Sequence, residues 1–425
     1  MEFEVLKKSH LKRKILIGVL IVGIISAIVL NFTRAKYRTT QSIPLVNGTI
    51  NYTLADLNII GLYIDGVEAE ELDSSKNYTL NTDQSTCTYK DGSTINDLEL
   101  SYDSESKTFT ITPCTTKGTK CKLYFDEYVP TAGNTILANY PTQLTRTNFN
   151  ITVTNTTTET IYYADTSKGR TYYFAGNPTD NWVYFGGFYW RIIRINEDGT
   201  IRMIYQGTSA YTGGTVTQIQ EGIYNSPYNN NMYVGYMYAS NQVHGLTSSS
   251  TIKGVLDEWY QKALKNVADK IDGNAGFCGD RQPSTSPSIS NGQGGTGKTV
   301  TYYGIRSKPT LECENDSDLY TTSGSEDGNK ALTYPIGLIS LNEARYAGGT
   351  DDNNTDYFLC TNEPYWTMSP SHFNSAAYIY GLNYNGRLVG WGAYTDAGIR
   401  PVINLKANVQ ITGGTGTSTN PYIVN

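Results

Sequence analysis

Histidine is almost missing from this chain. Its 425 residues hold three, His10, His244 and His372. A Ser-His-Asp or Cys-His centre would have to use His244 or His372, and no partner stands next to either in a recognisable pattern. Ser369, Ser371 and Asp396 are candidates only by proximity along the chain. Cysteine is scarce too: six residues and no C-x-x-C, which argues against a zinc ribbon or a thioredoxin motif. Helical heptads are absent. Beyond Arg38 the chain is short of positive charge. The first 38 residues hold eight Lys/Arg and two Glu, leaving 25 basic and 37 acidic residues in the remainder. An acidic body argues against nucleic acid as a partner.

What is abundant points to β structure. Tyrosine numbers 35 and glycine 41, and Asn and Thr are frequent, so strands with many turns are expected rather than disorder. The length predicts two or three domains. One apolar run, Ile15–Leu30, has no charge and follows Lys7, Lys8, Lys12, Arg13 and Lys14. It reads as an uncleaved N-terminal transmembrane helix, with the basic end in the cytoplasm and the bulk of the chain outside; a cleaved signal peptide is the alternative. Neither a lipobox-like cysteine nor a sortase-type motif is found.

The expected order is a cytoplasmic tail and membrane anchor over 1–40, a small all-β domain over 41–129, a linker or stalk over 130–162, and a mixed domain over 163–425. In the small domain Asn58–Ile64, Leu98–Tyr102, Phe109–Thr112 and Lys122–Phe125 read as strands. In the large one Trp182–Phe185, Tyr189–Ile195 and Thr200–Tyr205 do, the last two around a turn at Asp198-Gly199. Thr251–Ile271 has apolar residues at three- and four-residue steps and reads as a helix capped by Ser250 or Thr251. A second short helix is expected at Leu341–Ala347.

Several constellations invite a chemical reading. Gly292–Thr299 fits GxxxxGK[ST], but Ser and Pro precede it and a strand-like run follows it, so the strand–loop–helix context of nucleotide binding is missing. Asp351, Asp352 and Asp356 with two asparagines could offer oxygen ligands to calcium, yet an EF-hand's Gly and Glu are lacking, and a solvated loop is the better reading. No cofactor, metal or nucleotide is expected. Six cysteines allow 15 full pairings. The favoured ones are Cys87–Cys121 in the small domain and Cys278–Cys313 in the large one, with Cys114 and Cys360 free or joined across domains.

The stretch Tyr365–Leu405 reads YWTMSPSHFNSAAYIYGLNYNGRLVGWGAYTDAGIRPVINL. Ala376–Tyr384 and Arg387–Trp391 read as strands meeting at Asn385-Gly386, a pair suited to a type I′ hairpin turn. Gly398–Leu405 closes the unit, and Pro401 suggests a strand end, a bulge or an edge. Tyr378, Tyr380 and Tyr384 share the alternation phase of one strand face, which reads as a binding face, with a piece of β core as the alternative. Trp366 is expected in the core. His372, Asn374, Tyr384, Asn385, Trp391, Tyr394 and Asp396 are the candidate ligand-binding residues.

This stretch resembles the end of a C-type-lectin-like domain, in the version of formylglycine-generating-enzyme-like and retroelement-diversified bacterial surface proteins. Tyr163–Asn425, through YFAGNPTDNWVYFGGFYWRIIRINEDGTIRMIY, ALTYPIGLISLNEARYAGG and GIRPVINL…NPYIVN, resembles a group of gut-Firmicutes surface proteins that brings no activity with it. The resemblance implies an α+β fold of twisted antiparallel strands with two helices. Formylglycine-generating enzymes use an active-site cysteine pair late in this fold; here that region has only Cys360, so their activity is not implied. The expectation is a non-enzymatic, single-pass cell-surface protein that binds an extracellular glycan or protein through its C-terminal domain. An envelope enzyme and a structural or assembly component are the alternatives.

Overall fold

Strict alternation governs the first unit. In Thr119–Tyr128 the residues Cys121, Leu123 and Phe125 point inward while Lys120 and Lys122 face solvent. That strand pairs in parallel with Leu57–Ile64 and antiparallel with Asn77–Leu80 and Thr86–Thr88. A three-stranded sheet of Gln41–Pro44, Thr108–Thr112 and Glu99–Asp103 contributes Phe109 and Ile111 to the same core. Cys87 stands directly opposite Cys121 in register, and the two form a disulfide.

The computed structural model describes residues 41–44, 57–104, 107–112, 117–128, 130–153, 158–240, 242–281 and 308–424. It divides the chain into two units, Met1–Val129 and Pro130–Asn425. The expected anchor at Ile15–Leu30, the Gly292–Thr299 loop, Cys114 and His10 lie outside the described residues. No helix among the described residues is long and apolar enough to cross a membrane.

The second unit is built on a ten-stranded sheet. Its centre is Phe188–Ile195 against Ile201–Gly207, which are buried on both faces and read so in sequence as runs apolar in both phases. Gly169–Tyr173 and Thr160–Thr166 extend it on one side, and Val402–Leu405 and Ile271–Asp272 on the other. Trp182–Phe185 also pairs with Phe188–Ile195 and, in parallel, with the C-terminal strand Tyr422–Val424. A second, five-stranded sheet orders Gln220–Ile223, Asp396–Ile399, Tyr365–Phe373, Ala377–Leu382 and Leu388–Gly392. Asp396–Ile399 and Val402–Leu405 belong to different sheets, so the expected single run Gly398–Leu405 is two strands. The chain crosses between the sheets at Arg400-Pro401, where proline's missing donor breaks no ladder. Arg400 is fully buried there, donating to Tyr205 O at 3.0 Å and lying 4.6 Å from the Tyr365 ring centre.

Three α-helices occur among the described residues: α1 (Ala132–Leu137), α2 (Thr251–Ala263) and α3 (Leu341–Tyr346). Ser250 caps α2 as expected, but the helix ends early. It loosens into a 3-10 turn at Lys265–Lys270, because Ile271 is drawn into the main sheet opposite Leu405. The α+β expectation is corrected: strand makes up 37% and helix 12%, so the protein is mostly β. The linker expected over 130–162 is corrected as well. Ala132, Ile136 and Tyr140 pack into the second unit's core, and Thr142–Leu144 and Thr160–Thr166 join its sheet.

Candidate functional site

Two arginines face each other across the main sheet. Arg194 and Arg202 are register partners on adjacent strands. Like charges directly opposite repel, and here a single carboxylate sits between them. Glu343 accepts from Arg194 Nε at 3.2 Å and pairs with the Arg202 guanidinium. Its position is set by the start of α3: Ser340 caps Glu343 N–H, and Glu343 Oε2 accepts from Ser340 N–H at 2.9 Å, a complete capping box. Burial raises the Glu343 carboxyl, but Arg202 and Arg194 outweigh it and hold the group below its ordinary range.

This triad floors a cleft of about 820 Å³. Among the described residues its walls carry nine carboxylates and three cationic side chains, a strongly acidic lining. Cys278 and Cys313 line it and are joined by a disulfide. Next to that bridge stands Asp280, only 8% exposed, with the uncommon φ of +52° for a non-glycine residue. Its Oδ2 accepts from Ser369 Oγ at 2.8 Å, and Ser369 Oγ accepts in turn from Leu341 N–H at 2.8 Å. Its Oδ1 lies 3.0 Å from Cys278 Sγ, which has no proton to donate once disulfide-bonded. Burial pushes the Asp280 carboxyl well above 3.8; the Ser369 bond pulls the other way, and Asp318, Glu343 and Glu314 raise it further. A buried carboxyl pushed toward its neutral form in a cleft is the kind of group that functional sites carry. Asn342 lines the same cleft, 2% exposed, and its Oδ1 has no hydrogen-bond partner.

The residues singled out in sequence lie elsewhere, on the second sheet and its hairpin. Tyr384 (60% exposed) and Tyr394 (49% exposed) are on the surface, and Asn374 and Asp396 are exposed. Tyr394 packs against Tyr228, ring centres 4.7 Å apart. Trp391 is not free on the surface: it is half-buried, 5.7 Å edge-on from Trp366, which is core as expected. Tyr380 is buried and Tyr378 stacks on His372 at 4.4 Å, so Tyr378, Tyr380 and Tyr384 do not form one open face. His372 Nδ1 is 3.0 Å from Ser371 Oγ. Asn385 is held at the turn, donating to Asn353 at 2.7 Å.

The turn itself differs from the expected type I′. Only Gly386 has positive φ (+75°) while Asn385 does not. Gly386 N–H closes on Asn383 O, and Asn383 N–H donates to Arg387 O, a three-residue loop ending in a left-handed glycine. The segment read as a possible calcium loop packs on this turn: Asn354 N–H donates to Asn385 O, and Asp351 pairs with Arg345 at 2.7 Å. Among the described residues no three His, Cys, Asp or Glu side chains gather to hold a metal ion. His244 does have partners that sequence proximity missed, Asn315 at 2.9 Å and Asp318 at 3.5 Å.

The two disulfides among the described residues are the expected ones, and Cys360 is a free, buried thiol. Bridges of this kind are consistent with an extracellular protein. No protein-family model, no curated protein and no solved structure matches the chain.

Proposed function

We propose that this is an extracytoplasmic binding protein that takes an extracellular glycan or protein segment in the acidic cleft of its second unit. The observation that carries the reading is Asp280: a carboxyl more than nine-tenths buried, in left-handed backbone, opening on the cleft beside a disulfide. Such strain persists where surrounding structure over-determines it, and it clusters at functional sites. The hairpin face offers less, since Trp391, Asn385 and Tyr378 already have partners within the protein. The location outside the cytoplasm rests on the disulfides; retention at the membrane rests on the sequence of Ile15–Leu30 alone.

An envelope enzyme is the second reading, with Asp280 as a proton donor. Serine hydroxyls do meet carboxylates there, Ser167 Oγ with Glu312 at 3.1 Å and Ser369 Oγ with Asp280 at 2.8 Å, but no histidine stands among the described residues that line the cleft.

The test is a glycan and peptide array probed with the full chain and two variants. Ala275→Trp fills the cleft from a half-exposed position and removes no charged group. Tyr384→Ala with Tyr394→Ala strips the hairpin surface. Binding lost only in Ala275→Trp supports the cleft. Binding lost only in the tyrosine variant overturns it in favour of the hairpin.

A further inference from the structure

Among the described residues, carboxylates outnumber cationic side chains three to one around the cleft, and the three cations have acidic partners already: Lys168 with Asp327, and Arg194 and Arg202 with Glu343. The field inside therefore favours a positive ligand. A second, independent feature points the same way. Asn342 Oδ1 is a buried acceptor on the cleft wall with no donor from the protein. A buried polar atom left unpaired costs free energy, and a ligand N–H would satisfy it. The described residues bring no three-ligand cluster of His, Cys, Asp or Glu together for a bare metal ion. An organic ammonium carries both the charge and the N–H donors.

We infer that the cleft recognises a primary amine carried by the ligand, with the ammonium held by the Asp280 carboxylate and the Asn342 side-chain oxygen. This rests on the cleft being the binding site. An amino sugar and a lysine side chain both present such a group, and the same chemistry would take either.

Binding is then linked to protons. Free Asp280 is pushed toward its neutral form by burial and by Asp318, Glu343 and Glu314, with the Ser369 hydrogen bond pulling the other way and Arg202 the cation that feels its charge. Seating an ammonium beside it favours the ionised carboxylate and expels the proton. Affinity therefore rises with pH through the free-state titration of Asp280, while the amine stays protonated.

The experiment is calorimetric titration of the oxidised full chain with cadaverine, pentanediol as its uncharged counterpart, and calcium chloride. Cadaverine is expected to bind and pentanediol not. Affinity should increase as the pH is raised above the ordinary carboxylate range, with proton release shown by repeating the titration in two buffers of different ionisation enthalpy. Asp280→Asn should weaken cadaverine by about tenfold or more and abolish the proton release. Should that variant fail to fold, Asn342→Leu carries the test: it should weaken cadaverine several-fold while the wild-type thermal melt is retained. Equal binding of pentanediol, preference for calcium, or no cadaverine binding overturns the inference. If a neutral ligand binds instead and Ala275→Trp abolishes it, the cleft stands and amine recognition falls. If Ala275→Trp leaves all binding intact, the cleft reading itself falls.

Discussion

At the scale of single residues, Glu343 decides most. Arg194 and Arg202 are neighbours across two strands, and Arg202 is 2% exposed. Without a shared carboxylate both guanidinium groups would be packed together in a low-dielectric floor. Glu343→Gln keeps the shape and one donor–acceptor set but removes the charge. Breaking a buried pair in this way costs about 3–5 kcal/mol. Denaturant unfolding of the second unit measures it, and a loss below about 1 kcal/mol, the range of an exposed pair, would show that Glu343 does not hold the two arginines together. The sequence carried only part of this. Ser340-Leu-Asn-Glu343 is legible as a capping box, but nothing local says that the same carboxylate also serves two arginines some 140 residues earlier.

At the scale of elements, the hairpin and α3 were legible because their signals are local. A glycine follows an asparagine between two strand-like runs, and a serine precedes a glutamate by three. The turn type was not legible, since Asn385-Gly386 suits both a two-residue and a three-residue loop, and the choice came from the neighbouring segment 351–356 docking on it. Gly386 is where that docking is tightest: a Cβ there would stand 1.7 Å from Asn354 O, at a φ of +75°. Gly386→Ala is therefore expected to destabilise the second unit by about 2 kcal/mol or more, the sum of left-handed strain and a clash with backbone. An unchanged thermal midpoint would show that segment 351–356 moves aside freely. The early end of α2 was illegible for the opposite reason. Its apolar period runs on to Ile271, and only the sheet's claim on that residue stops the helix. The cleft could not be read at all, because Arg194, Arg202 and Glu343 converge from three separate elements and Asp280 from a loop, and each alone looks like a solvated charge.

At the scale of the whole molecule, each unit has its own core and its own disulfide. Cys278→Ala with Cys313→Ala should lower the stability of the second unit by about 2–5 kcal/mol and leave the first unit's transition where it was. Calorimetry resolves this, and a joint shift of both transitions would mean that the units do not melt separately. The crossing at Arg400-Pro401 has a further consequence, in time rather than in space. Val402–Leu405 is the partner of Ile201–Gly207, and Tyr422–Val424 the partner of Trp182–Phe185. The two central strands of the sheet are thus made early and then wait, one edge open, through about two hundred residues of further synthesis. Pairings this distant close slowly, and an open apolar edge invites aggregation meanwhile. A chain released before Arg400 would keep that edge bare, so residues 400–424 act as the lock that closes the sheet of the second unit.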